Sequence, residues 1–317
     1  MQRSCWLQVS NCSDVIPSLW KYYLSPVYAV EFAIGITGNL VVVLGYLFCL
    51  PSWKSTNVYL FNLAVSDLVF LCTLPHLSYT YAHGQQQYVA ALCVANRYIL
   101  HVNLYSSILF MVWVSVDRLL VLRHPQRDRF LLTCRGSLCV SLLTWIWVNI
   151  EVMPLIIFVL EDLKRNGWSK CNDFASLSEV NRTLIYSLVL TVTGYILPLL
   201  GLFLSSFKMV SLLTVQEQVF GTSFQKPLKI LRATAIMFLV LYTPIHVMRN
   251  VRIASQLSEM SSPCSRNYIE AVYIVTRPLA FAHSVINPVF YFLMTDRFKE
   301  LIQDKLRQLA RTVMSRT

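Results

Sequence analysis

The chain has 317 residues, 56% of them hydrophobic and only 14% charged, with a formal net charge of +11 and a mean hydropathy of +0.53. Soluble domains carry about 25% charged residues, so these figures exclude a water-solvated globule and favour a membrane protein. The cationic excess does not read as a nucleic-acid surface, because the basic residues form short clusters between apolar runs rather than one patch interleaved with aromatics.

A helix needs about 20 apolar residues to cross a hydrocarbon core of about 30 Å. Seven stretches meet that need in order: Leu24 to Leu50, Val58 to Tyr81, Ala90 to Leu122, Leu138 to Val159, Leu184 to Leu213, Leu228 to Ile253 and Tyr268 to Met294. The expected fold class is an all-α membrane protein, a seven-transmembrane helix bundle. Residues 1–23 are expected as an extracellular N-terminus, 24–294 as the bundle, and 295–317 as a cytoplasmic tail. The tail opens on Asp296 to Ile302, a short amphipathic helix suited to lying on membrane lipid at the inner leaflet. The N-terminal segment lacks the continuous apolar core of a signal peptide, so the first span is expected to direct insertion.

Orientation follows from the short loops. Lys54, the group Arg123, Arg127, Arg129 and Arg135, the group Lys208, Lys226, Lys229 and Arg232, and the tail cations all fall on one side. The positive-inside rule makes that side cytoplasmic and puts the N-terminus outside; the plasma membrane is the expected location. Two glycosylation triplets, at Asn11 and Asn181, fall on the outer side, as do Cys5, Cys12, Cys93, Cys171 and Cys264.

The third span has two chemically active ends. From Cys93 to Arg118 a helix covers roughly 38 Å. Arg97 and His101, four residues apart, share a face near the outer end, while Asp117 and Arg118 stand at the inner interface. Arg249 and Arg277 sit near the outer ends of spans six and seven. A cation at membrane depth costs at least ~2.5 kcal/mol, so three such arginines call for anions. Few carboxylates are near in sequence. Asp173 is the expected internal partner, Glu270 a weaker one, and Arg252 is left outside the set. A dicarboxylate would satisfy two guanidinium forks by paired hydrogen bonds, a geometry that lysine does not offer.

Gly38-Asn39, the NLAVSD run ending at Asp67, Cys93, Asp117-Arg118, Trp145, Pro198, Tyr242-Thr243-Pro244 and Asn287-Pro288-Val289-Phe290-Tyr291 occur one span after another. Together they resemble the rhodopsin-like (class A) G-protein-coupled receptors over essentially the whole chain. Within that family, YLFNLAVSDLVFLCTLP (59–75), NRYILHVNLYSSILF (96–110), HVMRNVRIAS (246–255) and YIVTRPLAF (273–281) are similar to the branch that answers small dicarboxylates. The members answering 2-oxoglutarate and those answering nucleotides share less of this wording.

The resemblance implies a ligand pocket of Arg97, Arg249, Arg277, His101, Tyr28 and Tyr81, with succinate the expected ligand and 2-oxoglutarate the alternative. His101 is expected to donate to a carboxylate in either charge state. The expected bridge is Cys93 to Cys171, with Cys264 tied to Cys5 or Cys12, of which Cys12 is carried forward. Asp117, Arg118, Tyr242, Pro244, Asn287, Pro288 and Tyr291 are implied as the activation switch addressing heterotrimeric G proteins, of inhibitory and Gq type. Asn39, Asp67, Asn103 and Ser107 are implied as a polar network able to hold a sodium ion, with no other cofactor or metal.

Three positions depart from the family pattern. Leu119 follows the Asp-Arg pair in place of tyrosine, Ser206 replaces a span-five tyrosine, and His283 stands where many members have asparagine. The first two raise the alternative of a weakly signalling or non-signalling ligand scavenger. A transporter is disfavoured because no internal repeat is visible. No nucleophile, base and orienter set marks an enzyme.

Overall fold

The computed structural model describes residues 15–83, 89–123, 129–220, 225–257, 262–294 and 307. Among them seven helices are long and apolar enough to cross a membrane: α1 Val15–Phe48, α2 Ser55–Ala82, α3 Ala90–Arg123, α4 Cys134–Arg165, α5 Val180–Gln218, α6 Leu231–Leu257 and α7 Pro263–Val289. No strand occurs among the described residues. In lipid each backbone polar group must be satisfied within its own segment, which leaves the helix as the spanning form for such runs.

The helices reach beyond the apolar runs that announce them, because hydropathy marks the lipid-embedded length and capping marks the helix. Thr133 accepts from the Gly136 amide at 3.1 Å and starts α4 before Leu138. Ser262 accepts from the Ser265 amide at 3.2 Å, with Pro263 in the first turn of α7. Helix α1 already begins at Val15, inside the segment expected as N-terminus, through a π turn at Trp20–Leu24. The expected tail helix, Asn11, Cys5 and Cys12 lie outside the described residues, as does the side chain of Tyr291.

Neighbouring helices close a ring, α1 on α2, α2 on α3 and α4, α5 on α6, α6 on α7 and α7 back on α1, while α3 packs on α2, α4 and α5. Two contacts show how motif residues join helices. Pro288 has no N–H to give the Ser284 carbonyl, and Asn39 Nδ2 donates to that carbonyl at 2.7 Å. Gly38 lets α1 come close there, since a Cβ on it would sit 3.0 Å from Pro288 Cγ. In α5, Pro198 likewise cannot donate to the Gly194 carbonyl, and a π segment, Val192–Ile196, precedes it. In α4, Trp145 Nε1 donates to Asn62 Oδ1 of α2 at 2.9 Å.

At the inner end Leu119 joins Met209, Leu213 and Leu231 in an apolar cluster separate from the main core. The residue in the tyrosine's place therefore packs α3 against α5 and α6. Ser206 is buried and its Oγ has no hydrogen-bond partner among the described residues.

Candidate functional site

The outer end of the bundle is roofed by the loop after α4. Cys93 and Cys171 form the expected disulfide, and Cys264 is itself disulfide-bonded. Buried Asp162 at the top of α4 organises the loop. Its Oδ2 accepts from Asn166 and Asn172 at 3.0 Å each, and its Oδ1 accepts from the Ser178 amide at 2.9 Å and hydroxyl at 2.8 Å. Gln256 of α6 donates to the Ala175 carbonyl at 2.5 Å. The loop is thus held from three sides, and a short 3-10 turn, Phe174–Ser176, drops into the bundle.

That loop brings Asp173 to two arginines. Arg97 Nη1 lies 3.1 Å from Asp173 Oδ1 and Arg277 Nη1 lies 3.6 Å from Oδ2. Arg97 Nε also donates to the Asn172 carbonyl at 3.2 Å. Arg277 Nη2 donates to the Tyr81 hydroxyl at 3.0 Å, with its Cζ 5.6 Å from the Tyr81 ring centroid. Tyr28 is fully buried beside Tyr81, ring centroids 6.1 Å apart, and its hydroxyl has no hydrogen-bond partner among the described residues. Burial acts to raise the Asp173 carboxyl, but Arg277, Arg97 and the Tyr273 hydroxyl outweigh it and hold the group well below the usual carboxylate range.

A carboxyl depressed on folding contributes stability that is complete above its unfolded pKa, about 3.9, and that is lost as pH falls through the folded value. Removing one partner of a buried ion pair costs about 3 kcal/mol. Asp173→Asn is therefore expected to lower the melting temperature of the purified protein by several degrees, by the same amount at about pH 8 and pH 5. Thermal unfolding across that range checks it; a difference that shrinks towards pH 5 would mean that Asp173 protonates there.

Arg249 stands apart from this pair. Its Nε donates to Ser187 Oγ at 2.9 Å, Nη1 to the Tyr105 hydroxyl at 2.8 Å, and Nη2 to Thr191 Oγ1 at 3.1 Å. Its Cζ lies 5.4 Å from the Phe174 ring centroid. It is 1% exposed, and no ion pair to it occurs among the described residues. The sequence groups the three arginines together, whereas the structure divides them two and one, with Arg249 held by hydroxyls of α5 and α3.

His101 links the two parts. Its Nδ1 donates to the Arg97 carbonyl at 2.8 Å, and its ring meets Phe174 edge-on at 5.2 Å. A carbonyl only accepts, so the neutral ring keeps its proton on Nδ1 and turns an acceptor, Nε2, towards its other neighbours. The expectation that His101 donates in either charge state is corrected: donation from Nε2 needs the imidazolium. Glu270 is corrected too. It pairs with Arg252 at 2.6 Å rather than with the pocket arginines.

Tyr105, Ser187, Thr191, Phe174 and Asp162 are absent from the sequence-based set. Arg97, His101 and Tyr105 recur every four residues, and Ser187 and Thr191 share that spacing on α5, so helical periodicity alone carried part of the signal. Nothing in the sequence marked Phe174 or Asp162.

Deeper in the bundle Asp67 is fully buried and gathers donors. Asn103 Nδ2 reaches Oδ1 at 3.0 Å, Ser284 Oγ reaches it at 2.7 Å, Ser107 Oγ at 3.4 Å, and Asn287 Nδ2 reaches Oδ2 at 2.8 Å. The Asp67 carboxylate, with the Ser107 and Ser284 hydroxyls against it, offers oxygens of the kind a small hard cation takes. His283 competes for the same place. Its Nδ1 donates to the Ala280 carbonyl at 2.6 Å and its Nε2 lies 3.5 Å from Asp67 Oδ1. Tyr242 of α6 packs on the His283 ring at 5.2 Å and donates to Met111 Sδ at 3.8 Å, so the span-six aromatic touches the network. Pro244 lies within the same helix. At the inner interface Thr56 donates to Asp117 Oδ2 through a short hydrogen bond, and Arg118 beside it is half-buried.

A seven-helix bundle with a disulfide-tethered outer loop over a buried polar pocket, and a carboxylate-centred network below, defines a membrane receptor. The profile of the "7 transmembrane receptor (rhodopsin family)" matches residues 38–291, and the chain belongs to that family. It is a multi-pass plasma-membrane receptor that answers a small ligand and acts on G proteins, not an enzyme. It is 45% identical to succinate receptor 1 of Rattus norvegicus over 98% of this chain and 96% of that protein. It is 32% identical to 2-oxoglutarate receptor 1 of Rattus norvegicus, covering 94% and 88%. It is 30% identical to a purinoceptor of Homo sapiens, covering 92% and 79%.

Proposed function

We propose that the chain is a cell-surface receptor for a small extracellular dicarboxylate, succinate first, coupled to inhibitory-type and Gq-type heterotrimeric G proteins. One observation carries this reading. Arg97, Arg249 and Arg277 are all buried, and among the described residues only Asp173 pairs with any of them. Counting Arg97, Arg249, Arg277 and Asp173, three positive charges less one negative leave two, the charge of a fully ionised dicarboxylate; half-buried Glu151, which also bears on Arg249, accepts from Thr193. A buried charge without a partner is costly, so a dianion that supplies both missing charges is favoured over a monoanion or a neutral ligand. The unpartnered Tyr28 hydroxyl can donate to a carboxylate, and Tyr81, which accepts from Arg277, keeps its own proton for the same use. The likeness to proteins named for succinate and 2-oxoglutarate supports the ligand class.

The test is succinate-stimulated nucleotide exchange by purified receptor with purified G proteins. Saturable stimulation supports the reading. A second reading, a ligand scavenger that signals weakly, is favoured by the apolar cluster around Leu119 and by Ser206, because outward movement of α6 would have to open that cluster. Saturable binding with no exchange on any G-protein family decides for it.

The His283 imidazole, with Nε2 3.5 Å from Asp67 Oδ1, occupies the space that a sodium ion beside Asp67 would need. Exchanging potassium for sodium at fixed ionic strength is therefore expected to change agonist affinity by less than about twofold in the unmodified receptor. In His283→Asn the same exchange should weaken agonist binding severalfold. Equal sodium sensitivity in both forms would sink the idea.

A further inference from the structure

Beside the Cys93 to Cys171 bridge, between the outer ends of α2 and α3, lies a small cavity of about 30 Å³. His76 and Thr80 of α2 and Asn96 and Arg97 of α3 line it. Asn96 is only 7% exposed, and its side-chain amide makes no hydrogen bond among the described residues. The ring of half-buried His76 is likewise without a partner there. Thr80 has already given its hydroxyl proton to the His76 carbonyl at 2.8 Å. No carboxylate is among the lining residues.

Buried polar groups are hydrogen-bonded as a rule, so an amide left open in a cavity wall calls for an occupant. The space admits one small species, since a single water needs about 10 to 15 Å³, and a dicarboxylate is far too large for it. The lining decides the charge. An asparagine amide and a neutral imidazole each offer N–H donors, and a guanidinium has donors alone, so the wall suits an acceptor. A cation is repelled by Arg97. A neutral water would occupy the donors but leave the charge as it is, and Arg97 shares its carboxylate, Asp173, with Arg277. Two guanidiniums on one carboxylate leave one positive charge, which a monovalent anion balances.

We propose that this cavity is a halide site, filled by chloride from the outer medium, with the N–H groups of Asn96 and His76 as donors and Arg97 as the counter-charge. A chloride ion beside Arg97 repels an incoming dianion, so filling the site weakens ligand binding. That second effect rests on the dicarboxylate reading of the pocket, whereas binding of the ion itself does not.

The experiment uses the full chain in lipid nanodiscs without succinate and follows thermal unfolding as chloride replaces gluconate, an anion too large for the cavity, at fixed ionic strength. The melting temperature is expected to rise and then level off, as binding to the folded state requires. His76→Leu should raise the chloride concentration at half effect by about fivefold or more, and His76→Gln, which keeps an N–H, should stay close to the unsubstituted protein. Bromide should act as chloride does, and its anomalous scattering in crystals should place the ion within hydrogen-bond reach of the Asn96 amide. A rise that never levels off, equal midpoints in His76→Leu and the unsubstituted protein, or no bromide at Asn96 would each overturn the proposal. The bromide measurement needs no substitution, so it decides even if His76→Leu fails to fold. With labelled succinate, the dissociation constant should rise about threefold or more and level off at the same chloride midpoint. A rise without limit would place chloride in the dicarboxylate pocket instead and overturn the assignment. If succinate does not bind at all, the ligand reading fails while the unfolding and bromide results still decide the halide site.

Discussion

Replacing Arg277 by alanine is expected to raise the half-maximal succinate concentration by about 100-fold or more at unchanged surface expression, the equivalent of about 3 kcal/mol. Arg277 joins the outer loop to α2, with one nitrogen towards Asp173 and another donating to Tyr81. Its loss removes one of the two charges that the ligand would neutralise and releases the Tyr81 hydroxyl. Lysine at this position keeps the charge but not the planar fork, and it is expected to recover only part of the response. A cell-surface binding assay with parallel antibody labelling separates affinity from expression. Unchanged affinity in the alanine variant would remove Arg277 from the ligand site.

Loss of the Cys93 to Cys171 bridge is expected to abolish the response and most surface expression. The bridge closes a loop with a sequence separation of 78 residues, for which chain-entropy arguments give about 4 kcal/mol of stabilisation. Its functional weight comes from the three residues next to Cys171 in the chain. Asn172 accepts from Arg97, Asp173 pairs with Arg97 and Arg277, and Phe174 lies against both Arg249 and His101. Freed of its tether, the loop takes the counter-ion and one wall of the site with it. Serine at both positions, followed by surface expression and ligand binding, is the measurement. Wild-type affinity on the fraction that reaches the surface would show that Asp162 and Gln256 hold the loop unaided.

The outline of the fold was plain in the sequence because seven apolar runs and the side preference of lysine and arginine are properties of single segments. Where each helix ends was less legible, as Val15 and Cys134 show, since capping and π turns carry helices past the lipid-embedded length. Asp173 as the partner of the pocket arginines could be read because few carboxylates were available near the outer ends. The division of the arginines could not. Only packing decides that Arg249 turns to Ser187, Thr191 and Tyr105 rather than to Asp173. The Nδ1 proton of His101 depends in the same way on a carbonyl one helical turn earlier, and the meeting of His76 with Asn96 depends on which face of α2 meets α3. Leu119 was visible as a departure, but its packing against Met209 and Leu231 was not, because those residues come from three different helices.

The central claim is that the outer site reads two negative charges. Direct binding of isotopically labelled succinate to purified receptor, challenged by unlabelled succinate, its monomethyl ester and its dimethyl ester, tests it most directly. The account expects one saturable site, displaced by succinate, at least tenfold less well by the monoester, and not measurably by the diester. Equal displacement by the monoester, or displacement by the uncharged diester, would contradict it.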